Sequence, residues 1–111
     1  MKLHVEDRGS AKIVWLAGSM TGGDERAWVD TVTRLVDETG AHVVLEMGEV
    51  AYVSSAGLGD LVRITALANS QGSRLVLCNL SAFVDGVLKT TRLDKFFDVH
   101  KSVDAALSAG S

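Results

Sequence analysis

The chain has 111 residues, 47% hydrophobic and 23% charged, with no proline and a net charge of −3 from 11 basic and 14 acidic side chains. That length suits one domain, residues 1–111, around a single core, and that composition excludes disordered and low-complexity classes. Lys and Arg are scattered, so the basic footprint of a nucleic-acid binder is missing and no DNA or RNA partner is expected.

Charges fall among the first eight residues, where a leader would need an apolar stretch, and the longest purely apolar run, Ile13 to Ala17, is far short of a bilayer span. A cytoplasmic protein with no direct membrane insertion is expected. Leu3–Glu6 and Lys12–Gly18 are strand candidates separated by the turn-forming cluster Asp7-Arg8-Gly9-Ser10, which makes an antiparallel hairpin. Asp24 can cap a helix that carries Trp28, Val32, Leu35 and Val36 on one face and stops at Gly40. The β-branched and aliphatic run Ala41–Met47 reads as a buried strand. Leu58, Leu61, Val62, Thr65 and Ala68 recur at helical spacing up to Gln71-Gly72, and Arg74–Cys78 is the next strand. Ser81 opens a third helix with Phe83, Val84, Val87 and Leu88 inward. Phe96–Val99 is a short last strand, and Ser102 caps a final helix through Val103, Ala106 and Leu107. Strands alternating with helices imply an α/β fold: a mixed, mostly parallel sheet with an N-terminal hairpin, right-handed crossovers and about four helices.

Most motifs that carry chemistry are missing. His4, His42 and His100 are widely spaced, and the one cysteine, Cys78, lies in an apolar strand where a buried small side chain is expected. No Gly-x-Ser-x-Gly elbow supports a nucleophilic serine, and Gly22-Gly23 lacks the lysine and spacing of a phosphate loop. No enzyme activity, cofactor or metal is expected.

The informative stretch is Tyr52-Val53-Ser54-Ser55-Ala56-Gly57-Leu58-Gly59, which joins an apolar run to an amphipathic helix through two hydroxyls and two glycines. Ser54 and Ser55 fall where a helix begins and its first N–H groups lack partners, a place that suits a hydroxyl cap or an added phosphate. Gly57 in the first turn costs roughly 0.5–1 kcal/mol relative to alanine, so a steric requirement is expected, either inside the fold or at an interface. Asp60 reads as a first-turn acid favoured by the helix dipole.

The run Val44 to Gly59 resembles the signature of STAS domains, the anti-sigma factor antagonist family: an apolar strand, a short turn, then Asp-Ser-Ser/Thr-Gly-Leu-Gly. Leu16-Ala17-Gly18-Ser19-Met20-Thr21 is similar to the family's strand-end glycine segment, and Thr90 to Val99 to its late Gly/Thr-x-Leu-x-x-x-Phe-x-Ile stretch. The resemblance implies a non-enzymatic antagonist that binds an anti-sigma factor which is also a serine kinase. Phosphorylation at Ser55, the position of the family's acceptor, would end the binding, and a serine phosphatase would restore it. The implied docking surface joins Met20, Thr21 and Asp24 to Ser54, Ser55, Ala56, Gly57, Leu58 and Asp60. Two positions depart from the pattern, since usually acidic residues are Ser54 and Thr21 here. An unphosphorylated scaffold or adaptor, in a sensing or membrane-transport complex, is the alternative.

Overall fold

A computed structural model of the protein describes residues 1–22 and 27–109. Strands β1 (Lys2–Asp7) and β2 (Ala11–Met20) pair antiparallel. Their turn is held by Gly9, whose φ is 76° and whose N–H donates to the Asp7 carboxylate at 2.8 Å. Helix α1 (Ala27–Val36), strand β3 (His42–Val53), helix α2 (Ser55–Gln71), strand β4 (Arg74–Cys78), helix α3 (Ala82–Thr90), strand β5 (Asp98–His100) and helix α4 (Val103–Ala109) follow in order. From β2 onward the strands are parallel, and the sheet order β1-β2-β3-β4-β5 is the sequence order.

That unreversed order decides the layers. Each right-handed crossover between neighbouring parallel strands lands on the same side of the sheet, so α1, α2 and α3 share one face. Trp28, Val32 and Val36 of α1, Leu61, Ile64 and Ala68 of α2, and Val84 and Leu88 of α3 close there over Val14, Leu16, Val43, Leu45, Leu75 and Leu77 in one core. The opposite face holds only a smaller cluster, in which Ala106 of α4 packs on Ile13, Val44, Val76 and Cys78. A seven-residue helix is only about 10 Å long, and it leaves the part of this face towards β1 open.

Three boundaries and one inward-facing assignment differ from the sequence expectation. β3 does not stop at Met47 but runs to Val53, because two register shifts against β2 let the strand pass through Gly48 and stay paired. α1 ends at Val36, and the chain turns through residues 37–41 with Gly40 at φ 84° rather than staying helical. Phe96 lies outside β5, after a 3-10 turn at Leu93–Lys95 entered through Arg92 at φ 62°. Phe83 is not on the inner side of α3: it is 45% exposed, and Val84 and Leu88 take the buried positions. The expected cap of the first helix, Asp24, lies outside the described residues. Both Ser81 and Ser102 do cap, accepting from the N–H groups of Val84 at 3.4 Å and Ala105 at 3.1 Å.

Candidate functional site: the serine turn at the start of α2

β2 and β3 end side by side, with Met20 paired to Val53, and α2 starts two residues later. Ser54 is the N-cap, with extended backbone at φ −86° and ψ 171°. Its hydroxyl accepts from the Gly57 N–H at 3.1 Å and donates to the Met20 carbonyl at 3.3 Å, and its own N–H donates to the same carbonyl at 2.9 Å. One side chain thereby satisfies an orphan helix donor and ties the helix start to the end of β2.

Gly57 resolves as an internal requirement. A Cβ there would overlap the Met20 backbone carbonyl, so only glycine lets α2 approach β2 this closely. The Gly22 position lies on the other side of the contact, where an added Cβ would meet the Ala56 methyl at 3.5 Å. Gly22 therefore lies close beside the first turn of α2.

Of the residues singled out by sequence, Ser55 and Ala56 are exposed, Thr21, Ser54 and Leu58 are half-buried, and Asp24 lies outside the described residues. Met20 and Gly57 are buried and so support the surface from below. Asp60 is a correction: it sits in the second turn, buried, with its carboxylate 2.9 Å from the Arg63 guanidinium, so it is a paired internal acid rather than a first-turn charge. The first turn of α2 carries no acidic side chain. With Ser54 taking the Gly57 N–H, those of Ser55 and Ala56 have no intrahelical acceptor, and the dipole adds roughly half a positive charge at this end.

The sequence reading missed an aromatic pair beside this turn. Tyr52, just before the serines, and Phe83, at the start of α3, pack at a tilt of 41° with ring centroids 5.2 Å apart and are 44% and 45% exposed. They belong to neighbouring strand-to-helix connections, which emerge on one edge of a parallel sheet; the alternation of burial along β3 that would have marked Tyr52 as outward is broken by the bulges.

Groups with chemistry elsewhere are tied down. Burial, helped by the nearby Glu46 carboxylate, pushes the Cys78 thiol up to about 12, so it stays protonated and unreactive. His42 and Arg74 stand side by side at the starts of β3 and β4, and Arg74 reaches across to β5, where it holds the Asp98 carboxylate at 2.6 Å with His100 2.8 Å from the same group. Partial burial pushes Asp98 up, but Arg74 and His100 together outweigh it and hold the carboxyl below its usual range. Among the described residues no group of three or more His, Cys, Asp or Glu side chains is placed to hold a metal ion. No helix among them is long and apolar enough to cross a membrane.

Comparison with known proteins agrees with this fold. A candidate anti-sigma factor antagonist of Bordetella bronchiseptica, BtrV, is 28% identical over 109 residues, covering 98% of this chain and 94% of its own. A STAS domain protein from Planctomyces limnophilus superposes with a TM-score of 0.81 at 16% identity, over 97% of each chain. The anti-sigma factor antagonist SpoIIAA in its unphosphorylated form superposes with a TM-score of 0.77 at 13% identity, over 97% of this chain and 95% of that one. The family model of the STAS domain matches residues 2–106, and with the unreversed sheet and the capped serine turn in place, the chain belongs to the STAS domain family.

Proposed function

We propose that the protein is an anti-sigma factor antagonist that works as a binding module rather than an enzyme. Its partner is an anti-sigma factor with serine kinase activity, in the cytoplasm, and phosphate on Ser55 ends the complex until a serine phosphatase removes it. The observation that carries this reading is the division of labour between two adjacent hydroxyls. Ser54 is half-buried and committed on both sides, to Gly57 and to Met20. Ser55 is exposed at the first helical position, with no hydrogen bond to its hydroxyl among the described residues. A kinase can reach Ser55 without dismantling the cap. A phosphate there adds about −1.5 to −2 charges beside a helix N-terminus that tolerates them, so it acts on the docking partner and not on the fold.

The docking surface consists of Thr21, Ser55, Ala56 and the exposed side of Leu58, with Ser54, Met20 and Gly57 fixing its shape; Asp24 is assigned to it by sequence position alone. Site-mapped mass spectrometry after incubation with the kinase and ATP tests the acceptor: phosphate on Ser55 is expected, and phosphate on Ser54 would refute the assignment. Ser55→Ala is expected to keep binding and resist switching, and Ser55→Asp to weaken binding. The scaffold reading draws on the hydroxyls at Ser54 and Thr21 where the family usually has acids. It would replace the switch if neither serine accepts phosphate and Ser55→Asp binds like the wild type.

A further inference from the structure

The open part of the second sheet face contains a cavity of about 350 Å³, at the small end of the range for ligand sites, lined by Lys2, His4, Trp15, Glu46, Glu49 and Asn79. Its floor is costly to build. Glu46 is only 9% exposed, and its two oxygens accept from the Gly48 N–H at 2.7 Å and the Asn79 side-chain amide at 2.8 Å. Asn79 is held at φ 53°, and a Cβ on Gly48 would overlap that same amide. A buried carboxylate, a left-handed asparagine and a glycine inside a strand therefore converge on one spot. The bulge explains one of these: Glu46 takes up the Gly48 N–H in the strand's irregular stretch.

What the bulge does not explain is the charge. Buried carboxylates are ordinarily paired with a cation. Among the described residues Glu46 makes no ion pair with any lysine, arginine or histidine, and its two hydrogen bonds come from neutral donors. Its wall is an aromatic ring: Trp15 is 37% exposed, yet oriented by an indole N–H donated to Glu6 at 3.1 Å. Glu49 adds a second carboxylate at the rim. The basic side chains of the lining, Lys2 and His4, are exposed to solvent on the edge strand β1.

We propose that this cavity binds an organic cation, an alkylammonium or guanidinium group, with Trp15 as its π face and Glu46 as its counter-charge. A buried carboxylate without a cationic partner among the described residues and a fixed, exposed indole are the two complements such a group requires, and the cavity presents both. The site lies on the face away from α1, α2 and α3 and does not depend on phosphorylation at Ser55.

The test is a titration with agmatine followed by two-dimensional amide and indole NMR, since the chain has only two tryptophans and Trp28 is fully buried. The Trp15 indole and the Gly48 amide are expected to move and saturate while the Trp28 indole stays still. Affinity is expected to fall about tenfold or more in Glu46→Gln, from the lost charge pair, and about threefold to thirtyfold in Trp15→Leu, from the lost cation–π contact. Trp15 is on the open face, so its variant carries the test if Glu46→Gln fails to fold. A blocked Gly-Arg-Gly tripeptide identifies the source. Binding as tight as agmatine supports a partner protein's arginine, and exclusion of the tripeptide with agmatine retained supports a free small molecule. The proposal is overturned if agmatine produces no saturable shift, if 1-butanol moves the same signals equally, or if Trp15→Leu binds agmatine as tightly as the wild type.

Discussion

The two faces of the sheet are built by different means. On the face under α1, α2 and α3, continuous apolar packing determines position, and its tightest contact, Gly57 against the Met20 carbonyl, is backbone on backbone. On the other face α4 covers one part, and the rest is organised by directional polar contacts: Trp15 to Glu6, Glu46 to Gly48 and Asn79, Arg74 to Asp98. Packing tolerates little change of volume, whereas a polar contact between side chains can swing, re-form or pass to water. The first face should therefore dominate stability and the second should carry adaptable chemistry.

The paired tryptophans give the sharpest way to break that contrast. Trp28→Ala empties a fully buried site in the larger core and is expected to cost about 3–5 kcal/mol in urea unfolding. Trp15→Ala loses one exposed hydrogen bond and partial burial, and is expected to cost under about 1.5 kcal/mol. Equal losses would remove the distinction between the faces.

The paired glycines test the same point at smaller amplitude. Gly57→Ala drives a methyl into a backbone carbonyl that cannot swing aside, so about 1–3 kcal/mol of destabilisation is expected. Gly48→Ala meets the Asn79 side chain, which can rotate away at the loss of its bond to Glu46, about 0.5–1.5 kcal/mol. Thermal unfolding of both variants would rank them, and a larger loss for Gly48→Ala would reverse the argument.

Next come the serines. Ser54→Ala removes the cap and the link to Met20 and is expected to cost about 1 kcal/mol, while Ser55→Ala stays within about 0.5 kcal/mol in the same denaturant series. The smallest effect expected is a pH dependence on the open face. Burial, and then the Arg74 charge, lower the His42 pKa below its ordinary 6.5. The unfolded chain therefore binds the proton first: the stability from a neutral His42 is complete above about pH 6.5, falls as pH drops through that value, and levels off below the lowered folded pKa. His42→Gln should flatten this window in a stability–pH series and leave the more acidic loss from Asp98 in place.

Element order and the serine turn were legible because both rest on local signals: helical and strand periodicity, serine caps, and glycines after helices. What escaped depends on residues brought together from far apart. Gly57 reads as glycine for a reason, but only the Met20 carbonyl, 37 positions earlier, says which. The extension of β3 was hidden because Gly48 and the buried Glu46 interrupt the alternation at the bulge. Asp60 looked like a dipole-facing acid, but with Ser54 as cap it is the sixth residue of α2, past the first turn and turned inward. The cavity on the open face joins four separate stretches of chain and has no local pattern at all.

Helix α2 is pinned at both ends. Ser54 ties its start to the Met20 carbonyl, and just past its end Gly72 takes a left-handed φ of 75° while the Ser73 hydroxyl bonds the Val36 carbonyl of α1 at 2.6 Å. Helix ends ordinarily fray, so a ligand that grips one must first still it. Here that stilling is completed in folding, and a partner meeting the first turn of α2 loses little further entropy on contact. As the docking surface proposed above, this end of α2 would act as a preordered template, on which modest contact areas hold with lifetimes that longer, looser loops would not reach.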